Sequence, residues 1–84
     1  MAIKLFVGSL AWATTNEELS EFFSQYGTVT DAFVVRDRET KRSKGFGFVE
    51  FENDDEGHAA IQAANGANLN GREIVVNEAL PAQN

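Results

Sequence analysis

The residues best suited to chemistry are aromatic and basic. Phe46 and Phe48 stand two apart in Lys44-Gly45-Phe46-Gly47-Phe48-Val49-Glu50-Phe51, and Phe6 lies in an earlier segment, Leu5-Phe6-Val7-Gly8. Rings of this kind bind flat partners through their π faces. The cations are Lys4, Arg36, Arg38, Lys41, Arg42, Lys44 and Arg72, and five of the seven fall between positions 36 and 44. Only Asp37 and Glu39 oppose them there, which leaves that stretch at +3. The remaining two basic and eleven acidic residues carry −9, for a net charge of −6. Where charges sit matters more than their sum. The pattern is one basic patch, suited to anions, on an otherwise acidic body.

Other chemistries lack their residues. The chain has no cysteine, so neither a disulfide nor a Cys-based zinc site is available. His58 is the lone histidine and builds no metal site without several acidic partners. No Ser/His/Asp or Cys/His set exists, and Asp54 and Asp55 lie at a helix start without other partners. Gly45-Phe46-Gly47 lies within a strand and precedes no helix, so it is no phosphate cradle. The expectation is a non-enzyme with no metal and no cofactor. The 84 residues fit one domain, 1–84, and a hydrophobic share of 43% supports a core. The start, Met-Ala-Ile-Lys-Leu-Phe, has no long apolar run, so no signal peptide or membrane span is expected. A soluble, intracellular chain follows as the expectation.

Hydrophobic periodicity supplies the elements. Ile3 to Gly8 alternates as a strand, with Ile3, Leu5 and Val7 on one side and Lys4 and Phe6 on the other. Thr15 and Glu18 form a capping-box start. Leu19, Phe22, Phe23 and Tyr26 follow at helical spacing. Gly27 is expected to end that helix in a left-handed conformation. Val29 to Arg36 is a β-branched and aromatic strand, and Asp37 to Ser43 a polar loop. Lys44 to Phe51 alternates as a third strand. Asn53 or Asp54 caps a second helix whose apolar side is Ala60, Ile61 and Ala64, with Asp55 and Glu56 near its positive end. Gly57 inside it costs about 0.5–1 kcal/mol relative to Ala. Asn65-Gly66 closes the helix, and Asn70-Gly71 is a turn signal. Arg72 to Asn77 is the fourth strand, and Pro81 to Asn84 a fraying end. The order strand-helix-strand-strand-helix-strand is the split βαβ pattern, an antiparallel four-stranded sheet with both helices on one face.

The second sheet face is then open, and alternation says what it carries. Val49 and Phe51 belong with the helices, so Lys44, Phe46, Phe48 and Glu50 face away from them. The same logic points Phe6 outward. With Ala32 and Val34 inward, Phe33 and Val35 are outside. Burying a large apolar side chain is worth roughly 1.5–3 kcal/mol over exposing it, so an open phenylalanine face forgoes several kcal/mol. A soluble monomer rarely shows such a patch unless something binds it.

These segments resemble a known family. Leu5-Phe6-Val7-Gly8-Ser9-Leu10 is similar to the hexamer of the RNA recognition motif family. Lys44 to Phe51 matches that family's octamer at every defined position. The resemblance spans Ile3 to about Ala79, leaving 80–84 as a flexible C-terminal end. Gly-Ser-Leu-Ala-Trp-Ala-Thr-Thr, Asp-Arg-Glu-Thr and Val-Asn-Glu-Ala resemble the glycine-rich or cold-inducible RNA-binding branch, with Ser9 where asparagine is often found. The resemblance implies an α+β, ferredoxin-like βαββαβ sandwich that binds single-stranded RNA, in RNA regulation or RNA chaperoning. It implies that Phe6, Phe46 and Phe48 carry bases or sugars, at roughly 1–3 kcal/mol per stacked base. It implies that Lys44 reaches a phosphate, with Lys4 a second candidate and Arg42 the first choice within the basic loop. It also puts Asn77, Glu78 and Ala79, after or at the end of the fourth strand, over the RNA through side chain or main chain.

Simpler readings stand beside these. Phe33 is either a fourth platform ring or an edge aromatic covering neighbouring apolar surface. Trp12 is expected to pack against the body, His58 to be a solvated helix residue, and the acidic helix residues to be solvated faces. A rival is a protein-interaction module using an acidic first helix and an Arg-x-Phe loop, but Ala67 to Gly71 supplies neither Arg nor Phe. Single-stranded DNA is an alternative ligand, since stacking reads π faces and only 2′-hydroxyl contacts separate the two polymers. The expected state is a monomer.

Overall fold

A computed structural model describes residues 2–79. The expected fraying end, Pro81 to Asn84 within 80–84, lies outside the described residues. The elements are strand β1 (Ile3–Gly8), helix α1 (Asn16–Ser24), strands β2 (Val29–Arg36) and β3 (Ser43–Phe51), helix α2 (Asp54–Ala64), a short pair β4 (Asn68–Leu69) and β5 (Arg72–Glu73), and strand β6 (Val75–Glu78). The main sheet is antiparallel in the order β2-β3-β1-β6. Helix α1 lies over β2, and α2 over β6 and β1. This is the α+β sandwich expected from the element order.

The core is what alternation requires. Ile3, Leu5 and Val7 of β1 meet Val34 of β2, Val49 and Phe51 of β3 and Val76 of β6 beneath Leu19, Phe23, Ala60 and Ala64 of the helices. Phe23 and Phe51 meet edge to face, 6.3 Å apart. The capping box of α1 is complete: the Glu18 N–H donates to Thr15 Oγ1 (3.1 Å), and the Thr15 N–H to Glu18 Oε1 (3.0 Å).

Three expectations are corrected. The fourth strand, read as Arg72 to Asn77, is broken at Ile74. Arg72–Glu73 pairs instead with Asn68–Leu69 across the Asn70-Gly71 turn, where both residues have positive φ (54° and 85°) as a tight hairpin turn requires. Ile74 is fully buried, and its backbone is bonded to Gly66 and Ala67 rather than to β1. Gly27 is not left-handed. A side chain there would collide with Glu56, 2.6 Å away, whose carboxylate accepts the Thr28 N–H (3.0 Å). Glycine at 27 lets the start of α2 reach the start of β2. Trp12, expected to pack against the body, is 74% exposed.

Gly57, the costly helix glycine, faces the core. A Cβ on it would overlap the Ile3 side chain, so the residue trades helix propensity for close packing of α2 on β1. The two edge strands share another device. The Val34 N–H of β2 donates to Asn16 Oδ1 (2.8 Å), at the start of α1. The Val76 N–H of β6 donates to Asn65 Oδ1 (3.0 Å), at the end of α2.

Candidate nucleic-acid interface

Register assembles the open face row by row. Phe6 stands opposite Phe48, and Phe48 opposite Phe33, while Asn77 of β6 is the other partner of Phe6. One continuous row, Asn77-Phe6-Phe48-Phe33, therefore crosses all four strands. Ring centroids of Phe6 and Phe48 are 5.9 Å apart, and those of Phe48 and Phe33 5.6 Å. Phe46, two residues from Phe48, stacks on Phe6 at 5.7 Å with 30° between the planes. All four rings are half-buried, and none belongs to the core beneath the sheet. They pack on one another and remain partly open to solvent. Phe33, on the edge strand β2, is in contact with Phe48 on this same face.

Glycine makes the close spacing possible. A Cβ at Gly47 would strike the Phe33 carbonyl oxygen, so β2 and β3 approach here only because that residue is glycine. At Gly8 a Cβ would lie 2.9 Å from the Phe6 ring, so that ring lies over Gly8, whose partner across the strands is Val75.

The face is polarised along the strands. At the β1 start, Lys4 lies opposite Glu50, which lies opposite Asp31. Glu50 is held by the Thr30 hydroxyl, which donates to its Oε1 (3.0 Å). Lys4 therefore sits beside carboxylates, which weakens it as a lone anion contact. The acidic row follows from Asp31 sharing parity with Phe33. At the opposite end lies the basic loop, and it is ordered. Asp37 Oδ1 accepts the N–H groups of Glu39 (2.8 Å) and Thr40 (3.0 Å). The Lys41 N–H donates to the Asp37 carbonyl (2.9 Å). Hydrogen bonds from Thr40 and then Glu39 hold the Asp37 carboxyl below its ordinary pKa, with a smaller contribution from the Lys44 charge. Arg38, Lys41, Arg42 and Lys44 are exposed. Among the described residues none of them is ion-paired; the one contact of that kind is His58 with Glu78.

The remaining candidates divide. Strict alternation holds from Phe46 to Phe51 but is interrupted before it, where Gly45 takes φ +86° and the β2–β3 register shifts. Lys44 is therefore placed with the basic loop and not by the pleat. Asn77 is on the open face. Glu78 is not: it stands opposite the buried Leu5, and its side chain reaches His58 of α2 at 3.5 Å. A side-chain contact from Glu78 to a ligand on the aromatic face is thereby corrected, because one step along a strand reverses the side. The Ala79 N–H is engaged with the Lys4 carbonyl (2.8 Å), so Ala79 has no free main-chain donor. Sequence reading also passed over Val75, exposed beside Gly8.

An antiparallel sheet with two helices on one side and phenylalanines on the other defines a class. The chain belongs to the RNA recognition motif family, whose profile matches residues 5–75. It is 53% identical over 76 residues to a glycine-rich RNA-binding protein of Daucus carota, covering 90% of this chain and 48% of that one. The chain spans about half the length of the curated relatives it matches. Among solved structures, it is similar to RNA binding protein PG1, with a TM-score of 0.91 and 40% identity over 98% of this chain and 99% of that one. It is also similar to the first two RNA recognition motif domains of yeast poly(U) binding protein, with a TM-score of 0.90 and 32% identity over 95% of this chain and 48% of that one.

Proposed function

We propose that this chain binds single-stranded RNA as a monomeric module. Bases stack on Phe6, Phe46 and Phe48, with Phe33 extending the platform. Lys44 and Arg42 meet phosphates from the ordered loop, and Asn77 supplies a polar edge beside Phe6. The observation that carries this reading is the four-ring cluster on the sheet face that the helices leave uncovered. A shallow aromatic surface flanked by unpaired cations suits unstacked bases on a charged backbone. The names of the relatives, which are RNA-binding proteins, support the same ligand. A role in RNA regulation or RNA chaperoning fits a small module that holds strands through stacking.

Amide shift mapping with randomised RNA octanucleotides tests this. Shifts are expected on β1, β3 and the Arg36–Lys44 loop. Phe48→Ala is expected to weaken binding about five- to hundred-fold. Shifts confined to the helices, with the sheet silent, point instead to a protein-interaction module. Equal affinity for the matching DNA pool leaves stacking intact and removes the preference for RNA.

A further inference from the structure

We infer that Lys4 and Glu50, with Asp31, form a base-reading row that selects guanine among the bases stacked on the rings; this rests on the RNA-binding reading above. The row runs beside the rings. Lys4, Glu50 and Asp31 stand two residues from Phe6, Phe48 and Phe33 in the same three strands, and each is the register partner of the next. Two residues along a strand return to the same face. Phe6, Phe48 and Phe33 therefore each have one charged neighbour on the open face.

Carboxylates on this face need a reason. A surface that takes a polyanion loses affinity by displaying negative charge, unless the carboxylate receives a hydrogen bond from the ligand. Among the described residues none of Lys4, Glu50 and Asp31 is ion-paired, so they remain available to one. Lys4 and Asp31 are exposed, and Glu50 is half-buried. Glu50 is also held. The β2–β3 register shifts between Val29 and Asp31, which leaves Thr30 as an extra residue, and bulges of this kind re-aim side chains. The Thr30 hydroxyl donates to Glu50 Oε1 (3.0 Å) and lies 3.3 Å from the Glu50 carbonyl oxygen. A carboxylate offers about four acceptor positions, so the bond from Thr30 orients Glu50 and leaves the others for a ligand.

The order of charge along the row selects the base. The row presents a donor, Lys4, and then acceptors, Glu50 and Asp31. The Watson–Crick edge of guanine presents an acceptor, O6, and then two donors, N1–H and N2–H. Adenine and cytosine each set a donor beside a ring-nitrogen acceptor, which a carboxylate repels. Uracil has one N–H between two carbonyls, so one carbonyl faces a carboxylate. Guanine alone gives an anion two adjacent donors, and hydrogen bonds to ionised groups are about twice as strong as neutral ones. Unstacked bases of single strands are read on this edge. The row repels phosphates and accepts from a base edge, so the strand's backbone keeps toward Arg36–Lys44.

The test compares labelled uridine octanucleotides carrying one central guanosine, inosine or adenosine, with affinities measured by anisotropy at fixed salt. All three are purines, so stacking is matched. The guanosine strand is expected to bind about five- to hundred-fold more tightly than the adenosine strand. Inosine lacks the N2 amino group and is expected to lose most of that gain. Glu50→Gln keeps an acceptor for Thr30 but removes the charge. It is expected to bring the guanosine-to-adenosine ratio near one while affinity for the adenosine strand rises, because a charge that repels phosphates is gone. A parent ratio near one, or a ratio that Glu50→Gln leaves unchanged, overturns the assignment. An inosine strand bound as tightly as the guanosine strand overturns it without any substitution. Equal binding of the three strands that Phe48→Ala abolishes would leave the RNA reading standing while this one falls. If the unaltered chain binds none of them, both fall. Melting of Glu50→Gln checks that the fold survives.

Discussion

Phe48 is the ring the other three share: it meets Phe6, Phe33 and Phe46. That contact gives it a structural part as well as an exposed face. Aromatic pairs are worth about 0.5–1.5 kcal/mol each beyond area, so with three contacts on a half-exposed ring Phe48→Ala should cost about 1.5–3 kcal/mol of stability, below the 3–5 kcal/mol of a buried phenylalanine. A melt showing near-complete unfolding would place Phe48 in the core and remove the platform. Asp37 offers a second test. Its folded pKa is lowered, so the stability it lends the loop is full above the unfolded value of 3.8. That stability is lost as pH falls through the lowered folded value. The Glu39 and Thr40 amide shifts should therefore titrate together with a midpoint below 3.8; a midpoint at or above that value would mean their hydrogen bonds to the carboxylate do not persist in solution.

The elements show which parts of this fold a sequence can reveal. Strand parity placed Phe6, Phe46 and Phe48, because a half-covered sheet separates its two rows by polarity. The capping box of α1 was legible because both its partners are local. Three features were not, because each depends on residues far apart in the chain. Gly27 has the sequence of a helix stop, but its reason for being glycine is Glu56. Ile74 continues a β-rich run, but its backbone is claimed by Gly66 and Ala67. Trp12 has the composition of a core residue, but its turn is held by Gly45 and Asn70. Gly57 yields a prediction at this scale. Replacing an exposed helix glycine with alanine gains about 0.5–1 kcal/mol. Here the added methyl meets Ile3, and overpacking typically costs about 1–3 kcal/mol. Gly57→Ala should therefore lower the denaturant midpoint, and a raised midpoint would show that α2 can shift away from β1.

Across the whole molecule, a net charge of −6 coexists with a basic end because the two are segregated. The acidic helix residues lie behind the sheet, and Asp31 and Glu50 mark one end of its open face. If RNA binds as proposed, this charge pattern holds its phosphates toward Arg36–Lys44 and discourages them elsewhere. Affinity should fall with salt, and Lys44→Ala should reduce the slope of log affinity against log salt by about 0.7, the loss of one phosphate contact on a single strand. An unchanged slope would remove Lys44 from the interface.

The asparagines at the sheet margins have a consequence for life at high concentration. An unpaired strand edge invites a neighbouring molecule to add its own strand, which is how small β-rich domains polymerise. Asn16 occupies an outward amide of β2, and Asn65 an outward amide of β6. Each edge is thereby partly closed by a side chain from the chain's own helix ends. Asn16→Ala with Asn65→Ala should cost only about 1 kcal/mol per lost bond while raising light scattering on prolonged incubation. If the doubly altered chain stays as clear as the parent, the margins are guarded by something else. On this view the two amides decide whether a domain with four clustered rings stays dispersed while it waits for a ligand.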